Sequence, residues 1–526
     1  MLSTWSPGAT APSRDPVVHL LKRFTYGPTK ELVTEVKKIG IDKWFDTQLD
    51  PGSINDSEVE EFLSNWEMFN YIHKDVAFLK SLAESESSDT AQFNTHWMAG
   101  RTLNLYSVVR QARSKRQIFE MMVDFWHNHL NITTIGDMTK NDLLDWHTND
   151  WNANVIRRNA LGNFEDLIQY SALHPAMVVY LDGELSTKEV PNENYGRELL
   201  ELHTVAPKAG YTQADVLDAS KLFSGIRVKW PQNFYGGPLV QQLPEKRTLI
   251  DIPPFPVMLH VERQNFGRFK VMGWQRTVNS AAEVLPAIKS LISYLCNHPE
   301  TGKTIALKLG RRFVEDVPSK KFIDDVAATF TSTKGDIKST LKAVYRHPDF
   351  QSSMGKKLKR PGEDYVSVAR ALDVLPNFDN LGKWPGRNKD YSFVSNIIKD
   401  DLHGLDHVPL GWHLPDGYSD VSANWVNANS QVLRWNSYGN FIKGGSWKKP
   451  NLSQLFPSEG KDLDSHINQI SQALLFTELG SADLASVKSA VLKRFSQSEL
   501  DLGKLNIEVT SLVVRLILQL PVWSLR

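Results

Sequence analysis

Two short segments concentrate the residues whose types and spacing could do chemistry. The first is a predicted helix over residues 193–204. Residues three and four apart share one face of a helix, and here that face carries Asn194, Arg197, Glu198 and Glu201. A carboxylate on this face could act as a general base or a metal ligand, and Arg197 could hold an anionic or polar group.

The same face has a simpler interpretation. A charged helix stripe is commonly solvated, and Arg197 and Glu201, four residues apart, predict an ordinary surface ion pair. His203 follows Glu201 by two residues, which is about 200° around a regular helix. These two side chains are therefore not expected to bind one metal ion.

The second segment is residues 120–129, also predicted as a helix. Asp124 and His127 share a face, and a carboxylate three residues before a histidine can orient its ring and raise its basicity. His127 and His129 would converge on one metal only if the helix ended near His127. The alternative is that His127 binds no metal and is simply hydrogen-bonded to Asp124.

These two segments supply the predicted site. The predicted catalytic residues are Glu198, Glu201, His127, Arg197 and Asn194. The predicted binding residues are Asp124, His129, His203, Trp126 and Asn192. The cofactor expected in such a pocket is a divalent metal, with candidate ligands His127, His129 and Glu198.

The elements that must position these residues are mostly helices. Helical periodicity predicts a mainly α fold, a large multi-helical single core with a small irregular or β-hairpin lobe near 224–275. The expected division is an N-terminal helical part at 1–223, the lobe at 224–275, and a C-terminal helical part at 276–526 packed as one unit with the first. His-Pro pairs at 174, 298 and 347 predict helix caps, and the basic run 356–360 predicts a solvated helix start.

Composition excludes some classes of function. Lys plus Arg and Asp plus Glu both number 60, so the basic excess typical of a nucleic-acid binder is missing. The single cysteine, Cys296, cannot form an intramolecular disulfide and is expected to be a small buried residue. The sequence shows neither a signal peptide nor a transmembrane stretch, which predicts a cytoplasmic protein. Export in complex with a signal-bearing partner is the alternative.

Several blocks along the chain together resemble a bacterial family called domain of unknown function 1800. The resemblance covers nearly the whole chain. The blocks are His19–Pro28, Phe125–His129, Ala160–Phe164, His174–Met177, Tyr180–Asp182, Pro191–Thr204, Gly210–Gln213, Asp215–Val216, Lys308–Val314, Pro415–Tyr418, Trp425 and Arg434–Asn436.

The resemblance implies a helical fold and supplies no established activity. Members of the family often appear alongside a second uncharacterised family that looks related to sulfatases and carries an export signal, which implies a protein partner and work at the cell envelope. One departure is Asn265, where the family usually has a histidine; His260 lies nearby and could stand in for it. If that histidine were essential, this chain would be altered or inactive.

Two hypotheses of function follow. The first is an enzyme, leaning to a hydrolase that is metal-assisted and has a His, Glu, Arg and Asn pocket. The second is a non-catalytic binding or assembly subunit of a cell-envelope-associated complex, in which the same residues form a buried salt-bridge network that fixes helix packing.

Overall fold

Helix-start signals in the sequence determine where many elements begin. The computed structural model describes residues 7–66, 68–69, 72, 74–85, 89–133, 141–230, 248–378, 396–459, 462–500 and 506–526. Asp15, Thr29 and Asn163 each accept a hydrogen bond from a backbone N–H in the first turn of the helix that follows. Such caps satisfy N–H groups that have no partner within the helix.

The first half of the chain is almost entirely helical. Its α-helices are α1 Pro16–Phe24, α2 Lys30–Ile39, α3 Ile41–Gln48, α4 Ser57–Ser64, α5 Val76–Ser85, α6 Asp89–Arg113, α7 Gln117–His129, α8 Asn141–Asp150, α9 Phe164–Ala172, α10 Pro175–Tyr180, α11 Glu193–Glu198 and α12 Gln213–Leu222. Two of them continue into π-helical segments, Trp151–Arg157 after α8 and Leu199–His203 after α11.

The second half returns to helices after a short stretch of strands. Its α-helices are α13 Ala281–Cys296, α14 Pro299–Phe313, α15 Lys320–Ser332, α16 Ile337–Arg346, α17 Pro348–Ser352, α18 Pro361–Ala371, α19 Ala428–Lys443, α20 Leu452–Leu455, α21 Leu463–Leu475, α22 Ser481–Leu492, α23 Gln497–Leu500 and α24 Ile507–Leu518. A third π-helical segment is Asn396–Leu402. Short 3-10 turns occur at Pro51–Ser53, Gly183–Leu185, Pro207–Ala209, Val261–Arg263, Ser422–Asn424 and Pro521–Ser524.

Two small antiparallel sheets form the predicted lobe. Strands β1 Ile226–Val228, β2 Leu249–Ile252 and β3 Val257–His260 make one sheet in the order β1-β3-β2. Strands β4 Gly267–Val271 and β5 Trp274–Val278 make a hairpin. The prediction of a mainly α fold with a small strand lobe is confirmed.

The core contains the apolar faces of both helical halves. Trp126, Trp151 and Phe164 are fully buried, and Phe24 stacks on Phe313 with ring centroids 4.5 Å apart. Burying each large apolar side chain stabilises the fold by about 1.5–3 kcal/mol. Cys296 is buried, as expected. Within the described residues, no helix is long and apolar enough to cross a membrane.

The three His-Pro pairs cap helices, which confirms that prediction. His174, His298 and His347 each accept a hydrogen bond from the backbone N–H two residues on, at the starts of α10, α14 and α17. The proline that follows occupies the first helical position, where its missing N–H costs nothing.

The basic run 356–360 leads into a helix, α18, as predicted, but the prediction that the run is solvated is wrong. Lys357, Lys359 and Arg360 are 2%, 6% and 3% exposed, so most of the run is buried. These cations avoid an isolated charge because acidic partners lie beside them, for example Asp316 Oδ1 at 2.9 Å from Lys357 Nζ.

Candidate functional site

The π-helical turn after α11 creates the polar centre of the candidate site. A helix end leaves carbonyl groups without partners inside the helix, and the last residues of this turn are Leu202 and His203. The carbonyl of His203 accepts a hydrogen bond from His129 Nε2 at 3.2 Å. The carbonyl of Leu202 accepts one from Lys308 Nζ at 3.2 Å. Two distant side chains are thereby brought to one point.

Lys308 and His129 are joined directly. Lys308 Nζ donates to His129 Nδ1 at 2.8 Å, and because His129 Nε2 faces a carbonyl oxygen, these partners favour the neutral tautomer that carries its proton on Nε2. Burial lowers the pKa of His129 well below its ordinary value, and Lys308 lowers it further. Burial also lowers the pKa of Lys308 to about 8, although Asp416 and Asp420 act to raise it.

His203 belongs to the same centre through its ring as well as its carbonyl. Its ring centroid lies 6.4 Å from that of His129. Burial lowers the pKa of His203 to about 3, and Lys308 adds to this effect. Both histidines are therefore neutral at ordinary pH, and Lys308 is the cationic group among the three.

Glu198 is the carboxylic acid of this region with the most perturbed pKa. Burial and the neighbouring Glu201 raise its pKa to about 7, against a lowering by Arg197, and Asp416 raises it further. Among the described residues, no hydrogen bond or ion pair engages its carboxyl group. Glu201 differs because its Oε2 accepts the hydroxyl of Tyr211 at 2.7 Å.

A loop from the C-terminal half brings Asp416 to these residues. Asn131 Nδ2 donates to the carbonyls of Trp412 and Leu414, and Tyr180 donates its hydroxyl to the carbonyl of His413. Trp412 Nε1 donates to Asp416 Oδ1 at 2.7 Å. The loop 411–418 is therefore held in place against Asn131 and Tyr180.

The far end of this loop is held by Asn128. Its side chain donates to the carbonyl of Tyr418 at 2.8 Å and accepts from the Tyr418 N–H at 2.6 Å. A Cβ at Gly417 would lie 2.1 Å from the carbonyl oxygen of Asn128, and the residue has a φ of +73°. Only glycine fits a backbone that approaches so closely in this conformation.

Close packing explains the glycine in the middle of α11. A Cβ at Gly196 would lie 2.2 Å from Ser220 Oγ, so α11 and α12 approach nearly backbone to backbone. Asn192 caps α11 by accepting from the Asn194 N–H at 2.8 Å and donates to the carbonyl of Asp182. Asn192, predicted to bind a ligand, thus positions the helix, and Asn194 lies in its capped first turn.

The predicted ion pair of Arg197 with Glu201 is wrong. Arg197 Nη2 lies 3.2 Å from Glu193 Oε2 and donates to Gln213 Oε1 at 3.0 Å, and its side chain is 40% exposed. Glu193 is also four residues from Arg197, but it lies one helical turn before Arg197, whereas Glu201 lies one turn after it. Glu201 instead accepts a hydrogen bond from Tyr211, and its negative charge raises the pKa of Glu198.

Asp124 does not form the predicted pair with His127. Its carboxylate accepts from Arg312 Nη2 at 2.8 Å and from Arg360 Nη2 at 2.6 Å. Burial alone would raise the pKa of Asp124, but the two arginines lower it below its ordinary value. The physical reason is that a guanidinium is a far stronger partner for a buried carboxylate than a neutral imidazole.

The two arginines belong to a larger group that we name the Asp124 cluster. Glu363 forms ion pairs with Arg312, Arg360 and Arg526, and Asp420 lies 3.3 Å from Arg312. The cluster consists of Asp124, Arg312, Arg360, Glu363, Asp420 and Arg526. It ties α7, α14, α18 and the last residues of the chain together.

His127 and Trp126 lie in the interior near this cluster. Burial lowers the pKa of His127 to about 3, and the charge of Asp124 acts on its ring in the opposite direction. His127 Nε2 is buried and has no hydrogen-bond partner among the described residues. Trp126 is fully buried and donates to the carbonyl of Ala160 at 3.0 Å. Trp126 contributes to the core.

The geometry brings together part of the predicted set. His129 and His203 lie together at the π-helical turn, and Glu198 and Glu201 interact with each other. Arg197, Asp124, Trp126, Asn192 and Asn194 make their contacts elsewhere, and His127 Nε2 is buried without a partner among the described residues. Within the described part of the chain, no three His, Cys, Asp or Glu side chains lie close enough to hold a metal ion.

Sequence reasoning missed Lys308, Asp416, Tyr180 and Tyr211 as site residues. Lys308 begins the block Lys308–Val314, and Asp416 lies in Pro415–Tyr418, so both stood in stretches that were already singled out. Spacing along one helix could not connect them, because they come from α14 and from a loop.

A separate open cleft is lined by other residues. It has a volume of about 920 Å³ and is lined by His147, Asp150, Tyr170, Trp230 and Phe255, among others. Asp150 accepts from His174 Nε2 at 2.8 Å and from Asn154 Nδ2. Its carboxylate is already partnered, in contrast to that of Glu198.

Comparison with protein families matches residues 19–525 to the family described as "Protein of unknown function (DUF1800)". The chain belongs to the DUF1800 family. No curated protein and no solved structure matches this DUF1800 chain.

Asn265, where the resemblance implied a histidine, lies in the strand lobe. The Asn265 backbone N–H donates to Ser224 Oγ at 2.9 Å, and its Nδ2 donates to the same oxygen at 3.2 Å. His260 is buried on β3, with Nδ1 3.4 Å from Glu262 Oε2. In this structure Asn265 connects the lobe to the end of α12.

Proposed function

We propose that this DUF1800 protein is a hydrolase-type enzyme in which Glu198 is the general base and Lys308 is the electrophilic group. The observation that carries the proposal is that one carboxylate, Asp416, acts electrostatically on both Glu198, whose pKa is about 7, and Lys308, whose pKa is about 8. Groups whose pKa values lie near the working pH are the effective ones in proton transfer.

Glu198 would take a proton from the attacking water. Its carboxyl group has no hydrogen-bond partner among the described residues, so it is free to receive that water. A pKa near 7 makes it a stronger base than an ordinary glutamate while it is still ionised in about half of the molecules at pH 7. Glu201 raises this basicity by its negative charge.

Lys308 would polarise the bond that is attacked. An ammonium group has three N–H donors, and two of them are used by His129 Nδ1 and the Leu202 carbonyl. The third can donate to an oxygen that gains negative charge in the transition state. Both partners of Lys308 are uncharged, so its positive charge is not neutralised by either of them.

The substrate class that suits this pair is an uncharged ester, amide or glycosidic bond. The catalytic groups supply one base and one cationic donor, which is what an acyl or glycosyl centre requires. A more specific version of the proposal adds a divalent metal ion that assists the hydrolysis. Of the three candidate ligands, His129 already has both ring nitrogens engaged, whereas Glu198 has a carboxyl group without a partner among the described residues and could bind a divalent ion through it.

The test uses purified full-length protein on panels of chromogenic ester, amide, glycoside and phosphoester substrates. Glu198→Gln should abolish the activity found with the unchanged protein, and Glu193→Gln, an exposed glutamate five residues earlier on the same helix, should keep it. Elemental analysis of both variants tests metal binding. An activity that survives Glu198→Gln would contradict the proposal.

A second candidate function is a non-catalytic binding or assembly subunit of an envelope-associated complex. The observation that favours it is that Asp124, Asn128, Asn131 and Asn192 use their hydrogen bonds within the protein itself. Co-purification with a sulfatase-like partner, unaffected by Glu198→Gln, together with no hydrolytic activity in any panel, would support this candidate over the first.

A further inference from the structure

The open cleft lined by Asp150, Tyr170, Trp230 and Phe255 has no part in the proposed hydrolysis. Its volume of about 920 Å³ is at the upper end of the range for small-molecule sites, so it has room for a ligand of more than one ring. Its lining residues come from the end of α8, from α9 and from the strand lobe, so the cleft exists only in the folded protein.

One side of the cleft is formed by the end of α8 and the π-helical segment that follows it. Asp150, Asn154 and Arg158 follow one another at intervals of four residues, and all three line the cleft. Asn154 and Arg158 are exposed, and the side chain of Asp150 is 25% exposed. This side therefore presents a row of three accessible polar groups. Segments of π-helix are rare and occur frequently at functional sites.

The three polar groups differ in their hydrogen-bonding abilities. The carboxylate of Asp150 can only accept; His174 and Asn154 each use one of its oxygens, and each oxygen keeps a further lone pair. Arg158 can only donate, and an amide such as that of Asn154 can do both. The guanidinium of Arg158 lies 4.8 Å from the centre of the Tyr170 ring and makes no hydrogen bond or ion pair within the described part of the chain.

The rest of the lining is largely apolar and aromatic. Tyr170, Trp230 and Phe255 are each partly exposed. Phe255 meets Tyr170 edge to face, with ring centroids 5.8 Å apart, and Trp230 Nε1 donates to Glu184 Oε1 at 3.1 Å. Rings that are already held in place lose little conformational entropy when a ligand packs on them.

The charges of the cleft favour a ligand that is neutral overall. Lys229 and Asp251 pair with each other at 3.1 Å, and a row that runs from the Asp150 carboxylate to the Arg158 guanidinium has no excess of one sign. A nucleic acid would need a basic groove. A proline-rich peptide packs on aromatic rings, but its prolines have no N–H group to donate to Asp150.

We propose that this cleft binds a neutral oligosaccharide. A hydroxyl group both donates and accepts, so the hydroxyls of one sugar chain can donate to Asp150 and accept from Arg158. The C–H groups on the face of a sugar ring are slightly positive and pack on the electron-rich faces of Trp230 and Phe255. The proposal is independent of the hydrolase site, because none of these residues belongs to it.

The test is isothermal titration calorimetry of the full chain with four neutral oligosaccharides, cellotetraose, maltotetraose, xylotetraose and N-acetylated chitotetraose. At least one of them should bind saturably at one site per chain. Arg158→Ala should weaken that binding by at least about tenfold, because a charged hydrogen bond is lost. Arg346→Ala, which removes an exposed arginine at the end of α16, should bind as the unchanged protein does. Glu198→Gln should also bind equally.

The same titration with tetragalacturonate and with decaproline gives the opposing outcomes. Binding of only the acidic sugar or only the peptide, or of no ligand at all, would overturn the proposal. Equal binding by Arg158→Ala would overturn it too, as would binding lost in Glu198→Gln, which would assign the sugar to the hydrolase site.

A melting curve of each variant in buffer guards against misfolding. Arg158 is exposed, so Arg158→Ala should have the Tm of the unchanged protein. If its Tm fell, Asn154→Ala, at another exposed position of the same row, would take its place, and undiminished binding by that variant would overturn the proposal.

Discussion

The Asp124 cluster and the region around Glu198 are both rich in charge, and both contain residues from sequence blocks that point to chemistry. In the Asp124 cluster each acid faces arginines, and Asp124 itself receives two charge-assisted hydrogen bonds. In the region around Glu198, Lys308 donates to the neutral ring of His129, and Glu198 and Glu201 act on each other as like charges. Arginine lowers the pKa of Asp124, whereas burial and Glu201 raise that of Glu198.

This difference separates two uses of buried charge. In a fully paired cluster, the attraction between the ions offsets part of the free energy that their burial costs, and the pairs fix how the helices pack. A charge that is left without an opposite partner lowers stability, and such groups are concentrated at functional sites. The comparison therefore favours a structural role for the Asp124 cluster and agrees with the chemical role that we propose for the Glu198 region.

The largest expected effect comes from breaking the paired cluster. Asp124→Asn leaves Arg312 and Arg360 without their shared carboxylate and should lower the free energy of unfolding by about 3–5 kcal/mol. Urea unfolding at pH 7 measures it. Glu193→Gln, which breaks the exposed pair with Arg197, should change stability by less than about 1 kcal/mol. Equal effects of the two substitutions would remove the distinction.

Glu198→Gln should have the opposite profile, a large loss of activity with the fold intact. Removing a general base lowers kcat by about 10²–10⁴-fold. Steady-state kinetics on the substrate found in the panels, alongside circular dichroism, checks this. If Glu198→Gln lost activity only because the protein unfolded, Glu198 would have a structural role like that of Asp124.

The pH dependence of kcat/KM sharpens the assignment of roles. The rate should rise through a pH of about 7 as Glu198 ionises and fall above about 8 as Lys308 loses its proton. Lys308→Arg keeps the positive charge and should move the alkaline limb to higher pH. An alkaline limb that stays in place would show that Lys308 is not the cationic donor.

The smallest effect expected is that of Tyr211→Phe. The hydroxyl donates to Glu201 at 2.7 Å, and Glu201 in turn acts on Glu198 through its charge. Loss of one hydrogen bond at a partly exposed position should change kcat by no more than about tenfold. A loss as large as that of Glu198→Gln would make Tyr211 a catalytic residue.

The sequence predicted the fold class, the histidine caps and the proximity of Glu198 and Glu201. Helical spacing placed Glu198 and Glu201 near each other, because a helix face depends only on local geometry. It failed for Arg197, because spacing alone cannot choose between Glu193 and Glu201, both four residues away. Periodicity likewise could not show that Asp124 faces Arg312 and Arg360, which follow it by 188 and 236 residues.

The π-helical turn is the other feature that local patterns did not reveal. A regular helix was predicted through residue 204, and the observed turn at Leu199–His203 frees the carbonyls that hold His129 and Lys308. Such turns arise where tertiary contacts outweigh the regular hydrogen-bond pattern, and they occur frequently at functional sites.

The central claim is that the charge of Glu198 is held without a compensating partner, and its pH-dependent contribution to stability tests this most directly. The folded-state pKa of about 7 lies above the ordinary value of 4.5, so the folded protein loses stability as pH rises through this interval. Urea unfolding of the unchanged protein and of Glu198→Gln should give equal free energies at pH 4.5 and a more stable variant at pH 8, by roughly 1–2 kcal/mol because solvent screens the charge of this half-buried group. A variant less stable than the unchanged protein at pH 8 would mean that Glu198 is paired as Asp124 is, and would contradict the account.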